Sequence, residues 1–511
     1  VVAIYQKDRF DQYSNFARIG NGSLGGKGRG LAFMGTMVKR YPRLVHPDFT
    51  VDIPKTVVIC TDVFDEFMED NNLYPVALSD ASDDGILAAF EAACLPERLL
   101  DDLLALFEVV HGPIAVRSSS LLEDSHYQPF AGVYKTYMIP KVEHKDEMLR
   151  LLRSAIKAVY ASVFYSDSKA YLTATQNLID QEKMAIVLQE VVGSVHTTPE
   201  GKELFYPTLS GVARSLNFYP LDDEQPADGT CNVAFGLGKY IVDGGQALRF
   251  SPCHPHHVLQ LSTTDLALRE TQRHFCALDL TNTAEEFQVD DGFNLAKVPF
   301  SKAPAIDGNM RYVASTFDPA DQMIRDGHYP VGRPLITFAG ILQHGAYPLA
   351  ETVNHLLHIG KAEMGRPVEI EFAMNIENDK AYFYLLQIRP IVDNKESVTL
   401  DLDSIRPGEA LITTPHALGN GVVNDVCDIV YVKTKDYNPA NNPLIAREVE
   451  KLNRTFLDGD SGYVLIGPGR WGSSDPWLGI PVKWPHISAA RLIVESGLSH
   501  YRVDPSQGTH F

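Results

Sequence analysis

The sequence lacks paired cysteines, a long apolar run and a signal peptide. Its six cysteines lie far apart without a CxxC pair, which argues against a zinc site or a disulfide framework and predicts reduced thiols in a cytoplasmic protein. No apolar run approaches the roughly 18 residues that a membrane span needs, so we expect no membrane partner. Residue 1 opens no signal peptide, and the chain starts without Met and stops abruptly at Phe511, which we interpret as a fragment of a longer polypeptide.

Basic residues are scarce as well. The chain has 45 lysines and arginines against 65 aspartates and glutamates, a net charge of −20 and a pI near 5.3. This balance argues against a nucleic-acid partner, which usually demands a basic surface. If the protein binds phosphates, its few cations must be concentrated in the site, so clustered lysines and arginines become informative.

The stretch 368–390 predicts a β-hairpin. Apolar residues alternate with polar or small ones over 368–375, which is the period of a half-buried strand, and 381–388 also reads as a strand. Residues 376–380 between them suit a five-residue hairpin loop. We predict a register centred on Asn378, since a slip by one residue would mix the apolar and polar faces.

The predicted hairpin gathers charged side chains on one face. Its register sets Glu369 opposite Gln387 and Glu371 opposite Leu385, with Arg389 on the same face as Gln387. Such a face is often no more than a solvated sheet surface. The alternative is a platform for a metal ion and phosphates, because Mg²⁺ takes one or two carboxylates together with substrate phosphate oxygens.

A glycine-rich loop precedes a predicted helix near the start of the chain. Residues 20–28 read GNGSLGGKG, and apolar residues recur at helical spacing after them. Backbone amides in such a loop, with a helix N-terminus behind them, form an anion site, and Lys27 adds a positive charge. A flexible surface loop is the alternative. A dinucleotide fold is a weak interpretation because 15–19 is a poor preceding strand, and the Walker A spacing fails at Asn21 and Gly28.

Arg117 leaves a second predicted strand, 113–120, beside three serines. Its planar guanidinium can bind two phosphate oxygens at once, which suits an anion site. An isolated arginine is more often a surface or ion-pair residue, so the rest of the chain must decide between these interpretations.

Two further segments carry candidate ligand contacts. Residues 184–192 predict a buried central strand, whose Gln189 and Glu190 either meet a purine edge or cap the sheet at the solvent boundary. Residues 210–215 read SGVARS, a run of mostly small residues in which the backbone could approach a ligand at Gly211.

The order of these segments resembles a known family. GGKGRGLAFM is followed by PIAVRSSSLLEDS with FAG, then by IVLQEVV, SGVARS and FGLG, and finally by VEIEFAMN with LLQIRP. Residues 18–392 thereby resemble the ATP-binding domain, also called the pyruvate/phosphoenolpyruvate-binding domain, of phosphoenolpyruvate synthase and pyruvate phosphate dikinase. The resemblance implies an α/β (α+β) protein with an ATP-grasp fold of two lobes that binds ATP and Mg²⁺.

The resemblance also implies roles for individual residues. Lys27 and Arg117 match the lysine and arginine that contact phosphates in the family. The residues implied in catalysis are Lys27, Arg117 and Arg389; those at the nucleotide are Lys27, Arg117, Gln189, Glu190, Gly211, Glu371 and Gln387; those at the metal are Glu371, Gln387 and Glu369.

Three departures from the family pattern matter. Glu369 stands where the family commonly has Asp, and Arg214 replaces an aromatic residue in the loop that covers the phosphates, where an Asp is also missing. The family's TxHxAI-type phosphohistidine motif is absent from the sequence. We therefore expect the acceptor histidine on a missing part of this polypeptide or on a partner.

The implied function is an ATP-dependent phosphotransferase of the dikinase type, with pyruvate or another small molecule as the final acceptor. Two alternatives stay open: an antibiotic- or glucan-type phosphotransferase with the same ATP domain, and a module that senses ATP without turnover. The predicted domains are an ATP-grasp lobe over 1–240, a second lobe with the metal-binding hairpin over 241–395, and a small C-terminal α/β domain over 396–511 that is cut short. Residues 393–397 read as a linker.

Overall fold

The computed structural model describes residues 2–7, 10, 15–40, 46–120, 134–142, 144–174, 182–218, 220–221, 223–281, 294–391, 405–406, 408–414, 417, 423–424, 426–459, 461–473, 475–501 and 503. The LLEDS and FAG segments, within 121–133, and the linker predicted at 393–397 lie outside these residues. The chain divides into two compact units, of which unit 1 comprises Val1–Ser215, Gly229–Val242 and Gln246–Pro390, and unit 2 comprises Leu216–Asp228, Asp243–Gly245 and Ile391–Phe511. The domain boundaries predicted at residues 240 and 395 stay predictions.

Unit 1 mixes strands and helices, which agrees with the predicted α/β (α+β) class. Its strands are β1 (Phe16–Ile19), β2 (Phe49–Asp52), β3 (Thr56–Ile59), β4 (Ile114–Ser120), β5 (Thr136–Ile139), β6 (Met184–Glu190), β7 (Ser194–Thr197), β8 (Glu203–Tyr206), β9 (Leu209–Arg214), β10 (Thr230–Ala234), β11 (Leu248–Phe250), β12 (His274–Asp279), β13 (Leu295–Pro299), β14 (Ala314–Asp318), β15 (Met323–Asp326), β16 (Arg333–Ile336), β17 (Val368–Glu377) and β18 (Lys380–Pro390). Its α-helices are α1 (Gly25–Arg40), α2 (Thr61–Asp70), α3 (Tyr74–Ala77), α4 (Asp83–Ala92), α5 (Glu97–Val109), α6 (Lys145–Ser162), α7 (Ser166–Ala174), α8 (Lys239–Val242), α9 (Thr264–Glu270), α10 (Met310–Val313), α11 (Ala339–Leu342) and α12 (Leu349–Met364). Short 3-10 helices occur at Leu259–Leu261 and Phe300–Ala305.

Two large sheets position the candidate site. The five-stranded sheet has the order β1-β3-β6-β4-β5, so that β6 is a central strand, as its apolar run predicts. The six-stranded sheet has the order β11-β10-β9-β17-β18-β2 and combines strands from both sides of residue 240. Smaller sheets with the orders β13-β12-β8-β7 and β15-β14-β16 complete the described part of unit 1.

One continuous apolar core joins the two large sheets. Helix α1 contacts β4 and β6 of the five-stranded sheet and β18 of the six-stranded sheet. Its Leu31 and Met34 are fully buried, and they belong to the same cluster as Val58 and Ile388, one from each sheet. Burial of this helix from two sides therefore fixes the glycine-rich loop, which lies at its N-terminus, relative to both sheets.

The turn of the hairpin β17–β18 is tighter than the sequence predicts. Glu377 pairs with Lys380, so the predicted five-residue loop at 376–380 is wrong and a two-residue turn takes its place. Its residues Asn378 and Asp379 have φ angles of 50° and 61°. Asn and Asp tolerate this left-handed conformation, and a turn with two such residues matches the twist of antiparallel strands.

The register of the hairpin also differs from the prediction. Glu371 pairs with Gln387 and Glu369 pairs with Arg389, so the predicted pairings of Glu369 with Gln387 and of Glu371 with Leu385 are wrong. Two shifts cause the difference. The two-residue turn moves the pairing by one residue, and a β-bulge between Glu371 and Phe372, which inserts Leu386 into β18, moves it by one more. The four polar side chains nevertheless share one face of the sheet, as predicted.

Unit 2 has a small α/β core of its own. Its elements are β19 (Val426–Tyr431), α13 (Asn442–Asp458), β20 (Gly462–Pro468), β21 (Arg470–Trp471), β22 (Gly479–Ile480) and β23 (Ala490–Ser496), with short 3-10 helices at Pro226–Asp228, Pro439–Asn441 and Trp484–His486. Strands β19, β20 and β23 form a parallel sheet in that order. Val449 of α13 packs in one cluster with Tyr463 and Leu465 of β20. Among the described residues of both units, every helix is too short or too polar to cross a membrane.

Candidate functional site

The first half of the glycine-rich loop binds a carboxylate of the protein itself. The amides of Asn21 and Gly22 donate to the two oxygens of Asp62, at 2.9 and 3.0 Å, and the amide of Ser23 donates to the hydroxyl of Thr61 at 2.9 Å. The sequence predicts these amides to bind a ligand anion. In the structure Asp62, at the start of α2, is the anion that they hold, and the loop is thereby fastened to the fold.

The environment of Asp62 favours its charged form. Burial acts to raise the pKa of this carboxyl, but the hydrogen bonds from the amides of Asn21 and Gly22, together with the charge of Arg98, outweigh burial and hold the pKa below its usual range. The Asp62 carboxylate therefore contributes to stability as long as it is ionised.

Replacing Asp62 by Asn should destabilise the protein at neutral pH but not in acid. A carboxyl with a lowered folded-state pKa contributes stability above its unfolded pKa, about 3.9 for aspartate, and loses it as the pH falls through the folded-state pKa. Because the Asp62 side chain is 34% exposed, we expect a loss of only about 1 kcal/mol at pH 7. Thermal unfolding of both proteins between pH 7 and pH 3 measures it, with Asp265→Asn, at an exposed helix position, as the control. An equal offset at both ends of the pH range would refute this linkage.

The second half of the loop is fastened to the end of β4. The hydroxyl of Ser119 donates to the carbonyl of Leu24 at 2.7 Å and accepts from the amide of Gly28 at 3.0 Å. Gly25 has a φ angle of 68°, and a Cβ atom there would lie 1.9 Å from the carbonyl oxygen of Ser119, so only glycine fits. The ammonium of Lys27 donates to the carbonyl and hydroxyl oxygens of Ser118, at 3.0 and 3.3 Å. Lys27 is thereby held beside the residue that follows Arg117.

Arg117 links the two large sheets. One guanidinium nitrogen, Nη1, donates to the Gln189 side-chain oxygen and to the Leu386 carbonyl, both at 3.1 Å. The other, Nη2, donates to the Gln387 side-chain oxygen at 2.8 Å and lies 3.5 Å from a carboxylate oxygen of Glu371. Burial lowers the pKa of Arg117, and the charge of Glu371 partly offsets this effect. The guanidinium stays cationic, since arginine is not deprotonated in proteins.

The β-bulge supplies one of these partners. Leu386 is the extra residue of β18, so its carbonyl is turned out of the ladder of paired residues and accepts from Arg117. Bulges recur next to functional sites because they redirect single groups in this way. The bulge also places Gln387 opposite Glu371, and Arg117 reaches both side chains.

The predicted adenine-side pair makes contacts within the protein. The Gln189 amide nitrogen donates to the Thr56 hydroxyl at 3.2 Å, while its oxygen accepts from Arg117. A carboxylate oxygen of Glu190 accepts from the amides of His111 and Gly112, at 3.2 and 3.0 Å, and so caps the turn before β4. Contact of either residue with adenine stays a prediction.

Glu369 lies between two arginines. Its Oε1 accepts from Nε of Arg389 at 2.7 Å and is also contacted by Nη2 of Arg389, and its Oε2 lies 2.6 Å from Nε of Arg214. The Glu369 side chain is 1% exposed, and both arginines are buried. The roles predicted for Glu369 at the metal and for Arg389 in catalysis stay predictions, although both side chains are engaged with each other in the structure.

Gly211 has a packing role in the six-stranded sheet. It pairs with Phe372 of β17, and a Cβ atom on Gly211 would lie 2.2 Å from the Phe372 ring. Any larger residue would displace that ring from the core. This contact explains the glycine without a ligand, so its predicted place at the nucleotide stays a prediction.

The residues around Arg117 suit a metal ion that arrives with phosphates. Among the described residues no group of three or more His, Cys, Asp or Glu side chains could hold a metal by itself. The Glu371 side chain is 23% exposed, and the Gln387 oxygen is its neighbour across the strand pair. Mg²⁺ usually binds through one or two carboxylates and completes its octahedron with phosphate oxygens and water. Glu371 and Gln387 fit that requirement.

The residues that the structure brings together around Arg117 are ones that the sequence predicts, namely Gln189, Glu371 and Gln387, with Lys27 next to them. The sequence pattern did not reveal the contacts of Asp62 and Ser119, whose partners lie far away along the chain. It also missed the contact between Arg214 and Glu369. The available signal was that both residues depart from the family pattern at once.

Comparison with known proteins places the chain in one family. The sequence profile described as pyruvate phosphate dikinase, AMP/ATP-binding domain, matches residues 21–409. A curated relative, the "Uncharacterized phosphotransferase YvkC" of Bacillus subtilis (strain 168), is 30% identical over 192 residues, which are 38% of this chain and 20% of the relative. The match thus spans about a fifth of the length of that relative.

Proposed function

The chain belongs to the family of the pyruvate phosphate dikinase AMP/ATP-binding domain, as its motifs predict, and from this premise we propose that it is an ATP-dependent phosphotransferase of the dikinase type. The observation that carries the proposal is the convergence on Arg117. Its guanidinium contacts residues of three separate motifs, from β6, β17 and β18, and the Lys27 ammonium lies against the next residue of β4. Together these groups offer two cations, a carboxylate and an amide oxygen, which is the chemistry that a magnesium-bound polyphosphate requires.

We assign the parts of the site as follows. Lys27 and Arg117 hold phosphate oxygens, and Glu371 with Gln387 positions Mg²⁺, which neutralises charge on the phosphates when it is bound. Adenine lies against the β6 strand at Gln189 and Glu190, and the backbone at Gly211 approaches the phosphates. The fold that this arrangement implies is an ATP-grasp cleft between two lobes.

The proposed chemistry is mainly positioning and charge neutralisation. In the dikinase-type transfer, a nitrogen or oxygen of the acceptor forms a bond to the β-phosphorus as the bond to the AMP oxygen breaks, and AMP leaves with the electron pair. Water then breaks the bond between the two transferred phosphates, which releases one phosphate and leaves the other on the acceptor. Lys27 and Arg117 orient the chain of phosphates for this in-line displacement, and Arg389 stabilises the developing charge. The acceptor is a histidine in cis or in trans, with pyruvate or another small molecule downstream on the pyruvate/phosphoenolpyruvate axis.

Product analysis tests the proposal. We expect the protein, incubated with ATP and Mg²⁺, to release AMP and phosphate when a histidine acceptor is present, with pyruvate downstream of it, and chromatography of the nucleotides distinguishes AMP from ADP. Mass spectrometry of acceptors identifies where the phosphate goes. Detection of a phosphorylated antibiotic or glucan in these spectra would favour the alternative acceptors with the same ATP domain. If ATP raised the melting temperature but neither AMP nor ADP appeared with any acceptor, the protein would be an ATP sensor and the proposal would be wrong.

A further inference from the structure

A row of three ionic side chains crosses three adjacent strands of the six-stranded sheet. Arg214 of β9 pairs with Glu369 of β17, which pairs in turn with Arg389 of β18. The next row toward the bulge contains Glu371 and Gln387. The first row, which we call the Arg214–Glu369–Arg389 triad, therefore lies beside the proposed metal-binding row on the same face.

The triad is buried, and its one acid is paired with both arginines, which leaves one positive charge in excess. All three side chains are less than a tenth exposed, and both oxygens of Glu369 are engaged by guanidinium groups. An unpaired ion in such a place is strongly destabilising, because it has lost its hydration without gaining a partner. The two positive charges of the arginines thus hold the one negative charge of Glu369 in place.

This arrangement disfavours the binding of a metal ion to the Glu369 carboxylate. A metal ion at Glu369 would have to reach a carboxylate that is 1% exposed, and it would lie beside two guanidinium charges. Glu371 differs in degree, since its carboxylate is 23% exposed and its contact with Nη2 of Arg117 is longer, at 3.5 Å. The two acidic residues of one strand are therefore not equivalent.

We propose that Arg214 takes the place of a metal ion at Glu369, so that Glu371 is the single carboxylate ligand of the magnesium ion at this platform. Glu369 is then a positioning residue that holds the Arg389 guanidinium in the row next to Glu371 and Gln387, and Arg214 is the residue that commits Glu369 to this role. The chain departs from the family pattern at Glu369, which is the longer acid, and at Arg214, which replaces an aromatic residue. These two side chains contact each other, so we interpret the two departures as one change. The inference rests on the proposed function for the metal at Glu371.

The number of water molecules bound directly to Mn²⁺ distinguishes a ligand from a nearby charge. Mn²⁺ replaces Mg²⁺ with a non-hydrolysable ATP analogue, and line broadening of its EPR signal in ¹⁷O-enriched water counts these waters. Loss of a carboxylate ligand from an octahedral ion should admit about one further water. We expect this gain for Glu371→Ala, which removes the side-chain oxygens altogether, and an unchanged count for Glu369→Ala, even where the altered charge weakens Mn²⁺ binding.

Removing Arg214 should release Glu369 to the metal. In Arg214→Met we expect about one water fewer on Mn²⁺ than in the unmodified protein, because the freed carboxylate can replace it. The double variant Arg214→Met with Glu369→Ala should regain that water, and Arg214→Lys, which keeps the charge, should leave the count unchanged. Because Glu369→Ala strands two buried arginines and could fail to fold, the Arg214→Met pair provides a second, independent comparison.

The outcomes separate the inference from the proposed function. A gain of water in Glu369→Ala equal to that in Glu371→Ala, or an unchanged count in Arg214→Met, would overturn the inference and leave the proposed metal platform intact. An unchanged count in both Glu371→Ala and Glu369→Ala would overturn the metal platform itself. A gain in Glu371→Ala alone, with loss of water in Arg214→Met, would establish the triad as a substitute for a second metal contact.

Discussion

Replacing Arg117 by Met should lower kcat/KM for ATP by about a thousandfold, the largest effect that we expect for any single substitution. The guanidinium offers phosphate a fixed pair of donors and joins Gln189, the Leu386 carbonyl and Gln387 in one network. Its removal takes away a phosphate charge and leaves buried side-chain oxygens of both glutamines without their donor. We expect an accompanying loss of about 2 kcal/mol in the free energy of unfolding.

A conservative variant separates charge from geometry at this position. Arg117→Lys keeps the positive charge but cannot reach both sheets with a planar fork, so we expect kcat/KM to fall by about 10 to 100-fold. Arg325→Met, at an exposed arginine of the same unit, is the matched control and should behave as the unmodified protein does. Nucleotide turnover and thermal unfolding of the three variants provide the measurement. Full activity in Arg117→Met would refute the central role of this residue.

Glu371→Gln should lower magnesium-dependent turnover by about a hundredfold while leaving the fold stable. The substitution keeps the shape of the side chain and removes the charge that positions the metal. Its ion pair with Arg117 is 3.5 Å long, and the carboxylate is 23% exposed, so the stability lost with it should be at most about 1 kcal/mol. A selective loss of turnover therefore marks Glu371 as a functional residue, whereas the Arg117 substitution affects both properties.

The magnesium dependence of Glu371→Gln identifies the cause of its defect. If the carboxylate binds the metal, the variant should need at least about tenfold more Mg²⁺ for half-maximal turnover. Glu351→Gln, at an exposed position of α12, tests for a nonspecific effect of removing one acid and should need no more Mg²⁺ than the unmodified protein. A variant at Glu371 with unchanged turnover at all Mg²⁺ concentrations would show that the platform is misassigned.

The sequence predicts the faces of the hairpin β17–β18 but not its register. Alternation of apolar and polar residues is set by the two-residue period of a strand, so it correctly predicts that Glu369, Glu371, Gln387 and Arg389 share a face. The partner of each residue on the neighbouring strand does not follow from this period, because it depends on the length of the turn and on any bulge. A two-residue turn at 378–379 and one extra residue at Leu386 changed every predicted partner, because a bulge depends on the packing of both strands and leaves no fixed signature in either.

The sequence by itself determined the family, the mixed α/β class and the set of residues around Arg117. These follow from the order of motifs and from local periodicity, both of which are written along the chain. Only the tertiary structure decided which of these side chains meet, because the order of strands in a sheet sets those contacts. In the structure, amides of the glycine-rich loop donate to Asp62. Arg214 contacts Glu369, although these two residues are 155 positions apart in sequence. The tertiary structure thereby distinguished two acids of one strand that look equivalent in the sequence, through the charges that neighbouring strands bring to each.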